Sequence, residues 1–278
     1  TVKIWITVLN STTSATDALE MQNKNMKTRI ISGVIIGVLA VAFIYLGGPL
    51  FAALMAFFAI WGTWELCSTR NRPINWFEYV IMLSFIMLLN LKPTKDIALI
   101  VMLLIFLCTL AVFDERVTFE EICVTFLESN ILGFGIRFAL LIENLNKWMF
   151  GYIVIAALVT DVFALVSGML FGKHKLNERV SPKKTVEGAI GGWLCGGIIS
   201  FVYASFLNYF GLGLPLIIIS SIVLPIVSQV GDLTFSLIKR NFHVKDFSNL
   251  IPGHGGLLDR FDSVLFTILT LGALMIFL

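Results

Sequence analysis

Residues 236–262 read SLIKRNFHVKDFSNLIPGHGGLLDRFD and lie between two long apolar segments. This stretch gathers lysines, arginines and aspartates, among them Lys239 and Asp259, around a glycine-rich turn that contains His254. Clustered charge at the ends of membrane helices is costly to place and usually has a function. We therefore expect residues 236–262 to form the functional centre of a helical membrane protein.

The composition is that of a polytopic membrane protein. The chain has 278 residues, of which 58% are hydrophobic and 14% are charged, and its mean hydropathy is +0.91. Soluble domains are roughly 45–50% apolar and about 25% charged. The net charge of +2 does not suggest a nucleic-acid partner, and the four cysteines form no Cys-x-x-Cys pair, which argues against a zinc site or a disulfide framework.

Nine apolar segments predict an all-α protein with about nine transmembrane helices. We expect a polar arm over 1–25, interfacial or outside the natural reading frame, N-terminal transmembrane helices over 26–150, and a catalytic transmembrane region with cytoplasmic loops over 151–278. Crossing a bilayer takes about 20 residues. The predicted spans are 30–47, 50–67, 76–91, 96–113, 122–142, 150–171, 187–210, 212–238 and 261–278.

The distribution of lysine and arginine predicts a cytoplasmic N-terminus, because cytoplasmic loops carry an excess of positive residues. With that orientation, the outer loops hold Lys92, Lys95 and Lys147. The inner loops hold Lys24, Lys27, Arg29, Arg70, Arg72, Arg116, Lys173, Lys175, Arg179, Lys183, Lys184, Lys239, Arg240, Lys245 and Arg260. Both charged loops, 172–186 and 239–260, are then cytoplasmic.

Two upstream features can serve a polar site. Asp161 lies near the middle of the sixth predicted span, where a carboxylate should face a polar interior or hydrogen-bond another helix. Ser181 and Pro182 predict a helix start, which puts Lys183 and Lys184 near a helix N-terminus that favours anions such as phosphate. A loop that only binds lipid headgroups is the alternative. The glycines of the seventh span indicate close helix packing.

The end of the eighth span predicts a polar stripe. Asp232, Ser236, Lys239 and Arg240 follow one another at offsets of 0, 4, 7 and 8, which place them on one helix face. Lys245 and Asp246, the turn with His254, and then Asp259, Arg260 and Asp262 come next along the chain. Carboxylates from two helices suit Mg²⁺ completed by phosphates, and basic residues beside them suit phosphoryl or nucleotidyl transfer.

This stretch resembles the phosphatidate cytidylyltransferase (CDP-diacylglycerol synthase) family. Its pattern is a Ser, then Lys-Arg, Lys-Asp, a Pro-x-His-Gly-Gly turn and Asp-Arg-x-Asp, and all gaps between Ser236 and Asp262 agree with it. Ser181, Pro182, the two following lysines and Asp161 also match the family. The resemblance is clear over 161–262, limited to hydrophobicity over 30–150, and absent over 1–25.

The resemblance implies transfer of CMP from CTP to phosphatidate, giving CDP-diacylglycerol and pyrophosphate. Because the chain is compact, we expect an integral protein of a bacterial inner membrane, with an organellar membrane as the alternative. The resemblance also implies Mg²⁺ held by Asp232 and Asp259, with a second metal ion left open. Lys239 and Arg240 would hold phosphates as catalytic residues together with the two aspartates. Substrate contacts are expected from Ser236, Lys183, Lys184, Asp161, Lys245, Asp246, His254 and Arg260, with His254 first a structural part of its turn.

Other functions stay open at the level of sequence. A CTP-dependent lipid kinase of the polyprenol or phytol type would transfer the γ-phosphoryl group instead, and a transporter could use Asp161 and the basic loops as an ion path. The complete C-terminal pattern argues against the kinase, and the gathering of acids at one membrane face argues against the transporter. The motif of a CDP-alcohol phosphotransferase is absent from the sequence. A homodimer is a further possibility.

Overall fold

The computed structural model describes residues 42, 45–70, 73–91, 94–248, 250 and 255–277. It is a bundle of α-helices with one short β-hairpin. The helices are α1 (Gly48–Ser68), α2 (Trp76–Leu91), α3 (Asp96–Phe113), α4 (Phe119–Leu145), α5 (Trp148–Phe171), α6 (Val186–Phe206), α7 (Leu214–Asn241) and α8 (Leu258–Phe277). The antiparallel strands β1 (Lys175–Asn177) and β2 (Ser181–Thr185) connect α5 to α6.

The predicted all-α membrane fold is confirmed. Every helix except α2 is long and apolar enough to cross a membrane, which makes seven candidate spans among the described residues, and α2 is a shorter apolar helix. These eight helices coincide in order with the predicted spans from 50–67 onwards. Most of the predicted span 30–47 and the whole arm 1–25 lie outside the described residues. The total of nine spans and the cytoplasmic N-terminus stay predictions.

Small residues bring α5 and α6 together. A Cβ atom on Gly188 would stand 2.5 Å from the backbone oxygen of Ala164, and one on Gly192 would stand 2.6 Å from that of Thr160. Both distances are far below a van der Waals contact, so only glycine permits this approach of the two backbones. The packing role predicted for the glycines of this span is therefore confirmed for these two.

The start of α6 differs from the prediction. Ser181 and Pro182 belong to β2, and α6 begins at Val186, where the Oγ1 atom of Thr185 accepts a hydrogen bond from the backbone N–H of Gly188 at 3.2 Å. The predicted helix start at Ser181 is wrong, because the hairpin takes up residues 181–185 and a threonine supplies the N-cap. Lys183 and Lys184 consequently lie on a strand that leads into the helix.

A buried ionic cluster joins the N-terminal helices to the end of α7. The guanidinium of Arg70 contacts the Glu128 carboxylate at 2.8 Å and the Glu78 carboxylate at 3.7 Å, and all three side chains are almost fully buried. Arg70 also lies 4.9 Å from the centre of the Phe242 ring, just after α7. Since a buried charge needs partners, this cluster fixes the end of α7 against α1, α2 and α4.

Candidate active site

A cavity of about 570 Å³ lies between α5, the β-hairpin, α7 and the start of α8. One face of α5 and the last turns of α7 form opposite parts of its wall. Eight of the residues predicted for the site line it: Asp161, Lys183, Lys184, Asp232, Lys239, Asp246, Asp259 and Arg260. Residues that are 101 positions apart in the chain, from Asp161 to Asp262, thus meet in one polar cavity.

Asp232 pairs with a lysine of the hairpin. The Nζ atom of Lys184 contacts the Oδ2 atom of Asp232, and each side chain is about one quarter exposed. The hydroxyl of Ser236, one turn later on α7, donates to Oδ1 of Asp232 at 3.4 Å. This ion pair draws strand β2 onto α7 and places one cation and one carboxylate on the same side of the cavity.

Asp259 is held by three donor groups from three different segments. Its Oδ1 atom accepts from Nζ of Lys239 at 2.6 Å, and its Oδ2 atom accepts from the backbone N–H groups of Phe247 and Gly256, both at 2.9 Å. Its side chain is only 3% exposed. Because these contacts engage both oxygens, Asp259 fixes the loop between α7 and α8 as well as facing the cavity.

Two further carboxylates, those of Asp161 and Asp262, meet between α5 and α8. The hydroxyl of Ser263 contacts Oδ2 of Asp161 and Oδ1 of Asp262, each at 3.2 Å, and so bridges the two side chains. Asp232 is near enough to both for like-charge repulsion to act between them. The cavity therefore concentrates negative charge on the side where α5, α7 and α8 meet.

Three predicted site residues that the structure describes, Ser236, Arg240 and Lys245, are not part of the cavity lining. Arg240 is exposed and donates from Nη1 to the backbone oxygen of Val244 at 3.1 Å, and Lys245 is exposed as well. Ser236 reaches the site only through Asp232. The predicted common face of α7 is thus confirmed for Asp232 and Lys239, whereas Arg240 points elsewhere. His254 lies outside the described residues.

Two acidic residues were missed as site residues by the sequence interpretation. Asp262 belongs to the quoted motif and lines the cavity, yet no role was assigned to it. Glu65 lies in α1, is fully buried, and accepts hydrogen bonds from Ser248 and from the backbone of Leu257 and Leu258. A signal was available, since a lone carboxylate inside an apolar helix marks a functional position by default.

The carboxylates fit a magnesium ion in chemistry and charge. Among the described residues, no three histidine, cysteine or acidic side chains are grouped as a complete metal site. Mg²⁺ does not require one, since it commonly takes one or two carboxylates, water and the phosphates of the substrate. Asp232 with Asp262 provides such a pair at the cavity wall. Asp259 accepts hydrogen bonds at both oxygens, one of them from Lys239, so a metal ion at Asp259 would compete with the lysine ammonium.

Comparisons with known proteins identify the family of the chain. A family model described as "Cytidylyltransferase family" matches residues 27–278. A protein of Staphylococcus saprophyticus named phosphatidate cytidylyltransferase is 35% identical over 267 residues, covering 90% of this chain and 99% of its own length. A protein of the same name from Staphylococcus haemolyticus is 32% identical over 261 residues, with the same two coverages. The chain belongs to the cytidylyltransferase family.

Proposed function

We propose that this protein transfers the cytidylyl group of CTP to phosphatidate and releases pyrophosphate, forming the CDP-diacylglycerol used in phospholipid biosynthesis. The proposal is supported by the family of the chain and by the names of its relatives. The observation that carries it is the pairing of Lys184 with Asp232 and of Lys239 with Asp259 in a single cavity. Cations and carboxylates in one site are the groups that phosphoryl-transfer chemistry requires.

The two lysines supply charge for phosphates. An ammonium group that neutralises a carboxylate can turn to a phosphate oxygen when the substrate binds, since both contacts are charge-assisted hydrogen bonds. Lys183 and Arg260 also line the cavity and bring further positive charge to it. A triphosphate and a lipid phosphate together carry enough negative charge to engage all four cations.

The residues of α5 that line the cavity suit a lipid substrate. Leu158, Leu165 and Met169 line the cavity next to Asp161, and each of the three is more than half exposed at the protein surface. A cavity with carboxylates and lysines on one side and exposed apolar side chains on the other accommodates a phosphate headgroup with its acyl chains. This combination favours a lipid as the nucleophile over a soluble phosphate ester.

The reaction needs positioning more than acid–base catalysis. A phosphate oxygen of phosphatidate attacks the α-phosphorus of CTP, the bond from that phosphorus to the bridging oxygen of the β-phosphate breaks, and pyrophosphate leaves with the electron pair. A phosphatidate phosphate is already an anion near neutral pH, so no strong general base is required. Lys184, Lys239 and Arg260 would hold the phosphates in line and offset the charge of the leaving group.

Magnesium completes the proposal. Asp232 and Asp262 are the residues that would hold it, and the ion would neutralise charge on the triphosphate and the pyrophosphate. The alternative that the sequence resemblance implies is Mg²⁺ held by Asp232 and Asp259, with a second metal ion left open. Substitution of Asp262 or of Asp259 by asparagine distinguishes the two arrangements, because loss of a metal ligand raises the Mg²⁺ concentration needed for half-maximal turnover.

The protein is an integral membrane protein. We place it in a bacterial cell membrane, because the relatives named above are bacterial, and we place the cavity on the cytoplasmic side, because the loops around it carry most of the lysine and arginine. A homodimer stays a prediction. Cross-linking in native membranes tests the oligomeric state.

The test of function uses purified protein in detergent with phosphatidate, Mg²⁺ and CTP labelled at either the α- or the γ-phosphate. Label from the α-phosphate in the lipid product, with unlabelled lipid from γ-labelled CTP, is the expected result. Transfer of the γ-label to a phosphate-free lipid alcohol would identify a lipid kinase instead. Absence of both labels from lipid, with protein shown to be folded, would contradict cytidylyl transfer.

A further inference from the structure

Glu65 connects α1 to the residues just before α8 and to the first residue of α8, next to Asp259. It lies one turn before the end of α1 and its side chain is fully buried. Its Oε1 atom accepts hydrogen bonds from the hydroxyl of Ser248 at 2.6 Å and from the backbone N–H of Leu257 at 2.7 Å. Its Oε2 atom accepts from the backbone N–H of Leu258 at 2.8 Å. Both ends of the segment 248–257 are therefore tied to one carboxylate.

These contacts suit a carboxylate for a physical reason. Leu258 is the first residue of α8 and Leu257 precedes it, so Glu65 satisfies N–H groups at a helix start that have no partner within the helix. The positive end of the helix dipole also favours the negative charge there. The indole N–H of Trp61, one turn earlier on α1, donates to Oε1 at 3.3 Å. A buried charge with four donors is stable where an unpaired one would not be.

Gly256 permits the contact. A Cβ atom at this position would stand 2.8 Å from Oε1 of Glu65, so a larger residue would push the loop away from α1. The glycine-rich turn therefore has a definite partner, which lies nearly two hundred residues earlier in the chain.

Glu65 and Asp259 accept hydrogen bonds from adjacent residues at both ends of the segment between α7 and α8. Asp259 accepts from the N–H groups of Phe247 and Gly256, whereas Glu65 accepts from Ser248 and Leu257, the next residue in each case. Asp259 in turn accepts from Lys239, which faces the cavity. A shift of the loop away from Glu65 would therefore change the backbone amides that orient Asp259, and through Asp259 the position of the Lys239 ammonium.

We infer that Glu65 is a positioning residue for cytidylyl transfer, which holds residues 247–248 and 256–258 so that Asp259 and Lys239 keep their places at the cavity. The inference rests on the proposed function for its kinetic consequence. Its structural consequence, the restraint of the loop by α1, does not depend on the reaction. Glu65 itself does not line the cavity, so it acts through Asp259 and not on the substrate.

The test compares the full-length variants Glu65→Gln and Glu128→Gln in detergent. Glutamine keeps the size of the side chain but presents an NH₂ group to one of the loop donors, so the loop loses a hydrogen bond. Glu128 is the matched control, a buried glutamate of α4 that pairs with Arg70 at 2.8 Å instead of with the loop. Two quantities are measured: kcat and KM per folded molecule, and hydrogen exchange of the Leu257 and Leu258 amides.

For Glu65→Gln we expect faster exchange of both amides and a kcat lower by about tenfold to a hundredfold, with a smaller change in the KM for CTP, because misplaced groups affect the reacting geometry most. For Glu128→Gln we expect the exchange rates of the Leu257 and Leu258 amides, and kcat per folded molecule, to stay within about twofold of the wild-type values. This expectation holds even if the thermal midpoint of the variant falls. That difference separates positioning from a general contribution to stability.

Unchanged exchange of the two amides in Glu65→Gln, or a kcat within about twofold of wild type, would overturn the inference. If Glu65→Gln fails to fold, the variant Ser248→Ala is used instead. It removes one of the four hydrogen-bond donors and leaves the Glu65 carboxylate in place. An unchanged kcat for Ser248→Ala would also overturn the inference. A wild-type protein that makes no CDP-lipid would refute the proposed function, while the exchange measurement would still decide whether Glu65 restrains the loop.

Discussion

Replacement of Lys239 by methionine tests the role of the cavity cations most sharply. Lys239 is 10% exposed, its Nζ atom lies 2.6 Å from Oδ1 of Asp259, and it lines the cavity. Methionine keeps the length of the aliphatic chain and removes the charge. A charge-assisted hydrogen bond from the ammonium to a phosphate contributes about 1.5–3 kcal/mol. At about 1.36 kcal/mol for each factor of ten, its loss lowers kcat/KM for CTP by roughly tenfold to 150-fold.

The stability of this variant should change less than its activity. Removing one partner from a fully buried ion pair destabilises a protein by about 3–5 kcal/mol. Asp259 keeps the two backbone N–H groups of Phe247 and Gly256, and it borders a cavity, so we expect a loss below that range. Thermal unfolding in detergent, followed by circular dichroism, measures this quantity alongside the kinetics.

The assay is the initial rate of CDP-lipid formation at varied CTP, with the rate divided by the amount of folded protein. Lys95→Met is the matched control, because Lys95 is an exposed lysine that precedes α3 and does not line the cavity. We expect this control to keep the wild-type kcat/KM. Equal kcat/KM for Lys239→Met and Lys95→Met would refute the assignment of Lys239 to a phosphate.

Three further substitutions have definite expectations. Asp232→Asn should abolish turnover with an unchanged thermal midpoint, since it removes charge from a polar cavity; activity with added Mg²⁺ near the wild-type level would exclude Asp232 as a metal ligand. Gly256→Ala should lower kcat and the thermal midpoint together, because the methyl group would stand 2.8 Å from the Glu65 carboxylate. Arg70→Met should destabilise the fold by about 3–5 kcal/mol by leaving Glu128 without its cation, which the yield of folded protein and the unfolding midpoint report.

The helices could be predicted from the sequence because each is a continuous apolar segment bounded by charged or turn residues. The predicted spans 96–113 and 76–91 coincide with α3 and α2. Even the predicted span 122–142, which contains Glu128 and Arg137, corresponds to a helix, since Arg137 pairs with Asp96 and Glu128 with Arg70. Hydropathy specifies such segments well because the bilayer requires internally satisfied backbone groups.

The charged half of the site could also be predicted, but the partners of each charge could not. The charge pattern indicated that Lys184 and Asp232 belong to one site, yet their direct pairing depends on the β-hairpin that turns strand β2 toward α7. Ser181 and Pro182 carry the signals of a helix start, and the hairpin overrides them. Arg240 was predicted to lie on the same face of α7 as Lys239. Its guanidinium instead donates a hydrogen bond to the backbone oxygen of Val244.

The partners of Glu65 could not be predicted from the sequence. Its three loop contacts join residues 183, 192 and 193 positions apart. No local pattern encodes such a contact, because it depends on how α1 packs beside the start of α8. The criterion that selected Asp161, a carboxylate in an apolar segment, applies equally to Glu65 and would have identified the residue without its partner.

The central claim is that the cavity between α5, α7 and α8 is where CTP reacts. The most direct measurement modifies single cysteines on α5, in a variant whose four native cysteines are alanines, with a bulky thiol reagent. Met169→Cys lines the cavity, and Phe171→Cys is an exposed control outside its lining. We predict that modification at 169 stops turnover and is slowed by CTP with Mg²⁺, while modification at 171 leaves turnover intact. Full turnover after complete modification at 169 would contradict the claim.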